Sequence, residues 1–185
     1  MTLSPEHARL GFRAGFRSHS LVEPVDGVPM SVMVFYPTDA VEEQQRVGPF
    51  ELSVARDAAP VAGRRRLVVL SHGNSGAPLL YRDLMAGLAR SGFVVAAPEH
   101  PFNNRTDNTR SGTVANLSAR PRHLRAVADW MFGDSPWAEH LGADGYAAIG
   151  HSIGGYTVLA LAGGRPQSAP AESPDGRSTP IDVAA

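Results

Sequence analysis

The apolar run Tyr146-Ala147-Ala148-Ile149 leads directly into Gly150-His151-Ser152-Ile153-Gly154-Gly155 and on into Tyr156-Thr157-Val158-Leu159-Ala160-Leu161-Ala162. A strand that passes into a helix across G-x-S-x-G leaves little freedom of fold. The serine occupies a sharp turn in a strained backbone conformation, with its hydroxyl clear of the sheet at the mouth of a pocket. Gly150 and Gly154 flank it symmetrically, where a Cβ would collide with the neighbouring strand and helix. The five letters alone are weak evidence; the apolar context on both sides, closed by Gly163-Gly164 as a helix stop, carries the reading. Ser152 is therefore a candidate nucleophile, and the rest of the chain is read outward from it.

Upstream, Leu67-Val68-Val69-Leu70 and Phe93-Val94-Val95-Ala96-Ala97 are continuous aliphatic runs, the pattern of parallel strands covered on both faces. Between them Pro78 suits a first helical turn, Leu80, Leu84 and Leu88 recur as an apolar stripe, and Gly92 supplies a stop. Strand, helix and strand at this spacing predict a right-handed βαβ unit and hence a mostly parallel α/β sheet with flanking helices. Nearer the N-terminus, Phe16 to Val22 and Met30 to Tyr36 flank Glu23-Pro24-Val25-Asp26-Gly27 and predict a β-hairpin. Residues 38–63 show no sustained period and read as a surface connection. The polar stretch from Pro98 to Gly112 falls at the carboxyl edge of a strand, where open α/β sheets place ligands. Ser118 is expected to cap a second amphipathic helix carrying Leu124, Val127, Ala128 and Met131. Residues 165–185 are rich in Pro, Ser, Ala and Gly and read as a flexible segment.

Composition removes several classes of function. The 185 residues carry a formal net charge of −1, and the one basic run, Arg64-Arg65-Arg66, sits at a strand entry, so no nucleic-acid partner is expected. Cysteine is absent, which rules out disulfides and Cys-based metal sites. All 17 basic residues are Arg, so a P-loop lysine and Schiff-base chemistry are also excluded. No stretch approaches the ~20 apolar residues of a membrane span and no signal peptide is visible, so a cytoplasmic single-domain protein is the expectation.

Taken together these pieces resemble the α/β-hydrolase superfamily, and within it the group of dienelactone hydrolase-like and platelet-activating-factor acetylhydrolase-like esterases. Cutinase-type polyester hydrolases are similar at greater distance. The resemblance rests on Val34-Phe35-Tyr36-Pro37-Thr38, Leu67 to Gly76, Gly92 to Pro98, Arg120-Pro121 opening a helix, and Gly150 to Gly155. It implies a serine hydrolase of carboxylic esters or lactones that forms an acyl-enzyme at Ser152. The backbone N–H groups of Asn74 and Ile153 would hold the oxyanion, with His72, Gly73, Gly150 and Gly154 in support. It calls for no metal, no organic cofactor and no partner beyond a small-molecule ester. Dienelactone hydrolase proper carries cysteine at the elbow, whereas this chain carries Ser152.

A serine needs an adjacent base, and such enzymes supply acid and histidine after the elbow. No histidine follows His151 here. His151 is expected to pack beside the turn, His72 to fix its loop, and His100 to approach the pocket. His7, His19, His123 and His140 read as surface or helix residues, and none of Glu172, Asp175 or Asp182 is assigned as the acid. The expectation is a fragment, the N-terminal part of the fold, with the acid and base lying further on. A non-catalytic relative that keeps the elbow as a structural turn is the alternative. A dinucleotide-binding unit with Gly73 and Gly76 at the phosphates and Glu99 on a ribose is disfavoured, because the loop offers G-x-x-G in place of G-x-G-x-x-G.

Overall fold

The computed structural model describes residues 11–172 and 175–184. Seven strands form one mixed sheet: β1 (Arg13–Val22), β2 (Pro29–Thr38), β3 (Glu43–Val47), β4 (Phe50–Arg56), β5 (Arg65–Ser71), β6 (Val94–Pro98) and β7 (Leu141–Gly150). Their spatial order is β3-β4-β1-β2-β6-β5-β7. The expected hairpin is present as β1 and β2, antiparallel from Arg13 opposite Thr38 to Val22 opposite Pro29. The aliphatic runs form the parallel part, with β5 between β6 and β7.

Helices α1 (Arg82–Arg90), α2 (Val114–Phe132) and α3 (Ile153–Leu161) cover the sheet. The strands alternate strictly between two cores. Val32, Val34, Leu67, Val69, Val94 and Ala96 point to one side and meet Leu124, Val127, Ala128 and Met131 of α2. Phe35, Val68, Leu70, Val95 and Ala97 point to the other and meet Met85, Ala86 and Ala89 of α1. This two-sided burial is why the central strands read as unbroken apolar runs.

Four sequence expectations are corrected. Residues 38–63 are not a simple connection: β3 and β4 form an antiparallel hairpin over Glu43–Val47 and Phe50–Arg56. Only Leu52, Val54 and Ala55 of β4 turn inward, so its alternation was too short to stand out. Of the expected stripe Leu80, Leu84 and Leu88 only Leu88 packs against the core, because a 3₁₀ turn over Pro78–Tyr81 precedes the helix and Met85, Ala86 and Ala89 form its buried face. Leu80 and Leu84 are exposed. The cap of α2 is Thr113, whose Oγ1 accepts from the Asn116 N–H at 3.2 Å, while Ser118 lies within the helix. Arg120-Pro121 accordingly sits inside α2 and does not open it. A proline there frees the carbonyl four residues back, and that carbonyl, on Leu117, accepts instead from the Tyr156 hydroxyl of α3 at 2.9 Å.

After α3 the chain turns back over α2. Ile181 is buried, its N–H bonds the Pro166 carbonyl at 3.0 Å, and Asp182 pairs with Arg122 at 2.8 Å.

Candidate active site

The elbow stands at the carboxyl end of β7. Ser152 has φ 56° and ψ −123°, a conformation that costs an L-residue of order 1–3 kcal/mol and persists only where the surroundings impose it. They do so through two glycines. A Cβ on Gly150 would lie 2.0 Å from the Gly154 carbonyl oxygen, and one on Gly154 would lie 2.1 Å from the Ser71 carbonyl oxygen. The helix can approach the strand ends this closely only without side chains at these positions. The Ser152 side chain is exposed at the head of α3.

The loop after β5 backs onto it. An added Cβ on Gly73 would sit 3.5 Å from the Ser152 Cβ and 3.1 Å from His151 Nδ1. Asn74 is anchored by its side chain, whose Oδ1 accepts from Asn103 Nδ2 at 2.6 Å and from Ser111 Oγ at 3.0 Å. Among the described residues, no hydrogen bond consumes the backbone N–H of Asn74 or of Ile153. His72 fixes the loop from below: its Nδ1 bonds the Gly73 carbonyl at 2.8 Å and its Nε2 accepts from the His100 N–H at 3.1 Å. Because a backbone N–H can only donate, the His72 proton resides on Nδ1.

His151 does not pack into the interior. Its ring is exposed and its Nδ1 lies 2.9 Å from the Tyr81 hydroxyl, which also receives the Gly73 N–H at 3.4 Å. His100 does not reach the pocket either. It is fully buried, with Nε2 2.9 Å from Ser71 Oγ and Nδ1 3.3 Å from His123 Nδ1. His123, expected as a surface or helix residue, is a helix residue, buried in α2, and its Nε2 lies 3.0 Å from a Glu23 carboxylate oxygen. His7 lies outside the described residues.

Beneath the site, then, runs a buried chain of polar groups whose direction is set by its ends. Arg120 is donor only and meets Ser71 Oγ at 3.1 Å, so the Ser71 hydroxyl donates onward to His100 Nε2. His100 Nδ1–H then donates to His123 Nδ1, and His123 Nε2–H to Glu23. Both imidazoles are neutral in this arrangement. Burial and the nearby Arg120 charge hold His72 down at about 4, burial holds His123 at about 4 despite Glu23, and burial drives His100 well below the usual histidine range. Glu23 is held below its ordinary value although burial opposes this, because the N–H groups of Val25, Asp26 and Val28 and the His123 ring converge on it.

A pH dependence follows. Unfolded histidines take up protons near pH 6.5 and these folded ones do not, so the unfolded state binds more protons across the window from 6.5 down to about 4. Stability is full above that window and falls as pH drops through it. His72 alone accounts for about 2 kcal/mol by pH 5, roughly 5 °C in Tm for a chain of this size. Thermal melts at pH 7 and pH 5 check this, and a flat Tm would mean that these imidazoles charge within the fold.

Ser152 and Ile153 at the elbow thus adjoin the loop His72-Gly73-Asn74 through Gly73. Ser71, Arg120, Asn103, His123 and Glu23 were missed, since nothing in their spacing links them. The one signal is Arg120-Pro121, a pair that suggests a helix start but lies inside α2.

The profile of the alpha/beta hydrolase fold family matches residues 66–171, and the chain belongs to that family. No curated protein matches it. Solved structures of similar fold include a ferulic acid esterase from Streptomyces cinnamoneus, with TM-score 0.68, 21% identity and coverage of 83% of this chain and 56% of that one. A lipase in its open form matches with TM-score 0.53 and 17% identity over 80% of this chain and 39% of the other. Poly(aspartic acid) hydrolase-1 from Sphingomonas sp. KT-1 matches with TM-score 0.51 and 21% identity over 80% and 50%. The chain therefore spans about half, or less, of the length of these structures. Among the described residues no helix is long and apolar enough to cross a membrane.

Proposed function

We propose that Ser152 is the nucleophile of a serine hydrolase acting on carboxylic esters or lactones. The observation that carries this reading is the strained Ser152 backbone, enforced by Gly150 and Gly154 and backed by Gly73. Such strain serves no packing purpose for an exposed hydroxyl, whereas it suits a nucleophile. The esterase and lipase names of several structures of similar fold support an ester substrate. The dienelactone hydrolase-like subgroup remains our reading of the motifs.

In this mechanism Ser152 Oγ attacks the ester carbonyl, its proton passes to a general base, and the alkoxide leaves to give an acyl-serine that water then cleaves. The N–H groups of Asn74 and Ile153 receive the oxyanion, aided by the N-terminus of α3. Among the described residues no imidazole is hydrogen-bonded to Ser152, and His72, His100 and His123 are committed elsewhere, so we assign the base and its acid to sequence following residue 185. A reading frame that continues with an Asp and a His supports the enzyme; a stop after Ala185 favours the non-catalytic relative.

The oxyanion assignment has its own test. Asn74→Pro removes the N–H and is expected to lower kcat about a hundredfold. Asn74→Ala loses the side-chain contacts to Asn103, Ser111 and Ser75 but keeps the N–H, and should cost less than about tenfold, as expected for a side chain acting at one remove. Steady-state kinetics on p-nitrophenyl acetate separates the two, and a folded Asn74→Pro with wild-type kcat places the donor elsewhere.

A further inference from the structure

Arg120 is fully buried in α2, and among the described residues no carboxylate lies in ion-pair contact with it. A guanidinium without a counter-ion is costly to bury, and an apolar side chain of the same length would fill the space more cheaply. Burial draws its pKa down to about 9. Its hydrogen bonds run to four residues on three pieces of the site. Nη2 donates to Ser71 Oγ at the end of β5 and to the His72 carbonyl. Nη1 donates to Asn103 Oδ1 at 2.7 Å, and Asn103 in turn holds Asn74. Nε donates to Thr157 Oγ1 at 3.1 Å, whose own proton goes to the Ile153 carbonyl in the first turn of α3.

We propose that Arg120 is a positioning residue for the oxyanion loop, fixing the His72-Gly73 peptide from one side and Asn74 through Asn103 from the other, with the loop locked to the head of α3. This rests on the reading of Ser152 and Asn74 given above. The fork geometry is essential to it. Every Arg120 partner must accept, and the Ser71 hydroxyl can do so because its proton is drawn to His100 by the chain ending at Glu23. A lysine ammonium donates from a single point and cannot reach partners on both sides of the loop. Arg120 touches neither substrate nor Ser152 in this scheme; it acts by holding the donor.

The test uses Arg120→Met, Arg120→Lys and Asn103→Ala in the protein expressed from its complete reading frame, with Ser152→Ala alongside. For Arg120→Met we expect kcat on p-nitrophenyl acetate to fall about a hundredfold with KM changed less than about threefold, and Arg120→Lys to recover little of it. Backbone amide resonances of Gly73 and Asn74 should shift or broaden, while those of β1 stay in place. Asn103→Ala severs one arm only and should cost about tenfold in kcat while the fold is kept, so it decides the matter if both Arg120 variants fail to fold. Unchanged Gly73 and Asn74 amides, or amide shifts without loss of kcat, overturn the proposal. A Ser152→Ala protein as active as wild type overturns the nucleophile instead, and the amide response still decides whether Arg120 holds the loop.

Discussion

Ser152→Ala is expected to lower ester turnover about a thousandfold or more in the protein expressed from its complete reading frame. The size of the effect follows from what the residue does in the proposed scheme. Without the hydroxyl no acyl-enzyme can form, and what remains is whatever the oxyanion donors contribute to attack by water. The substitution is structurally mild. Ser152 is exposed, and its strained φ of 56° is imposed by Gly150 and Gly154, which the variant keeps. A melt superimposable on wild type should therefore accompany the lost turnover, measured as kcat/KM on p-nitrophenyl acetate. Retention of most activity would remove Ser152 from the mechanism.

The second large effect concerns the 185 residues expressed alone, whose turnover should not exceed that of the Ser152→Ala control. His72, His100 and His123 are buried and spend both ring nitrogens on other partners or on each other, His151 bonds Tyr81 through Nδ1, and among the described residues no hydrogen bond joins an imidazole to Ser152. Association is expected as well. Among the described residues strand β7 pairs only with β5 and ends the sheet, which leaves a row of N–H and C=O groups along its outer side without strand partners. Tyr146 is 38% exposed and Leu159 70% exposed, and a groove lined by Tyr146, Ala148, Val158, Leu161 and Ala162 runs beside that edge. Light scattering and a hydrophobic dye should both report this surface. A monomer with a cooperative transition, no dye binding and no turnover would instead support the non-catalytic relative.

The parts of the fold legible in sequence were those where one physical requirement dominates. Strands β5 and β6 must be apolar on both faces, and the elbow must have glycine at two positions, so both were visible as strings of letters. Hairpin β3–β4 is buried only briefly, with Leu52 and Val54 on one face of β4 and Ala55 on the other, and left little trace. In α1 the large leucines suggest a stripe of which Leu88 alone packs on the core, whereas the buried face is Met85, Ala86 and Ala89, small enough in two of three cases to let the helix sit close. The support of the site was the least legible. Residues 23, 71, 100, 103, 120 and 123 meet only because the turn after β1, the end of β5, the loop after β6 and α2 converge, and no local period encodes such a meeting.

The longest of these links joins Glu23 to His123 across 100 residues of chain. At ordinary rates of synthesis that separation corresponds to roughly 5–20 s between the appearance of the two residues on a ribosome. Glu23 is prepared for the wait, since its carboxylate already accepts from the Val25 and Asp26 N–H groups of its own turn at 2.7 and 2.6 Å. The hairpin can thus close early and remain satisfied, while His100, Ser71 and Arg120 acquire their alignment only when α2 docks onto it. The geometry around Ser152 is consequently a late product of folding, finished by a helix that contributes no atom to the reaction.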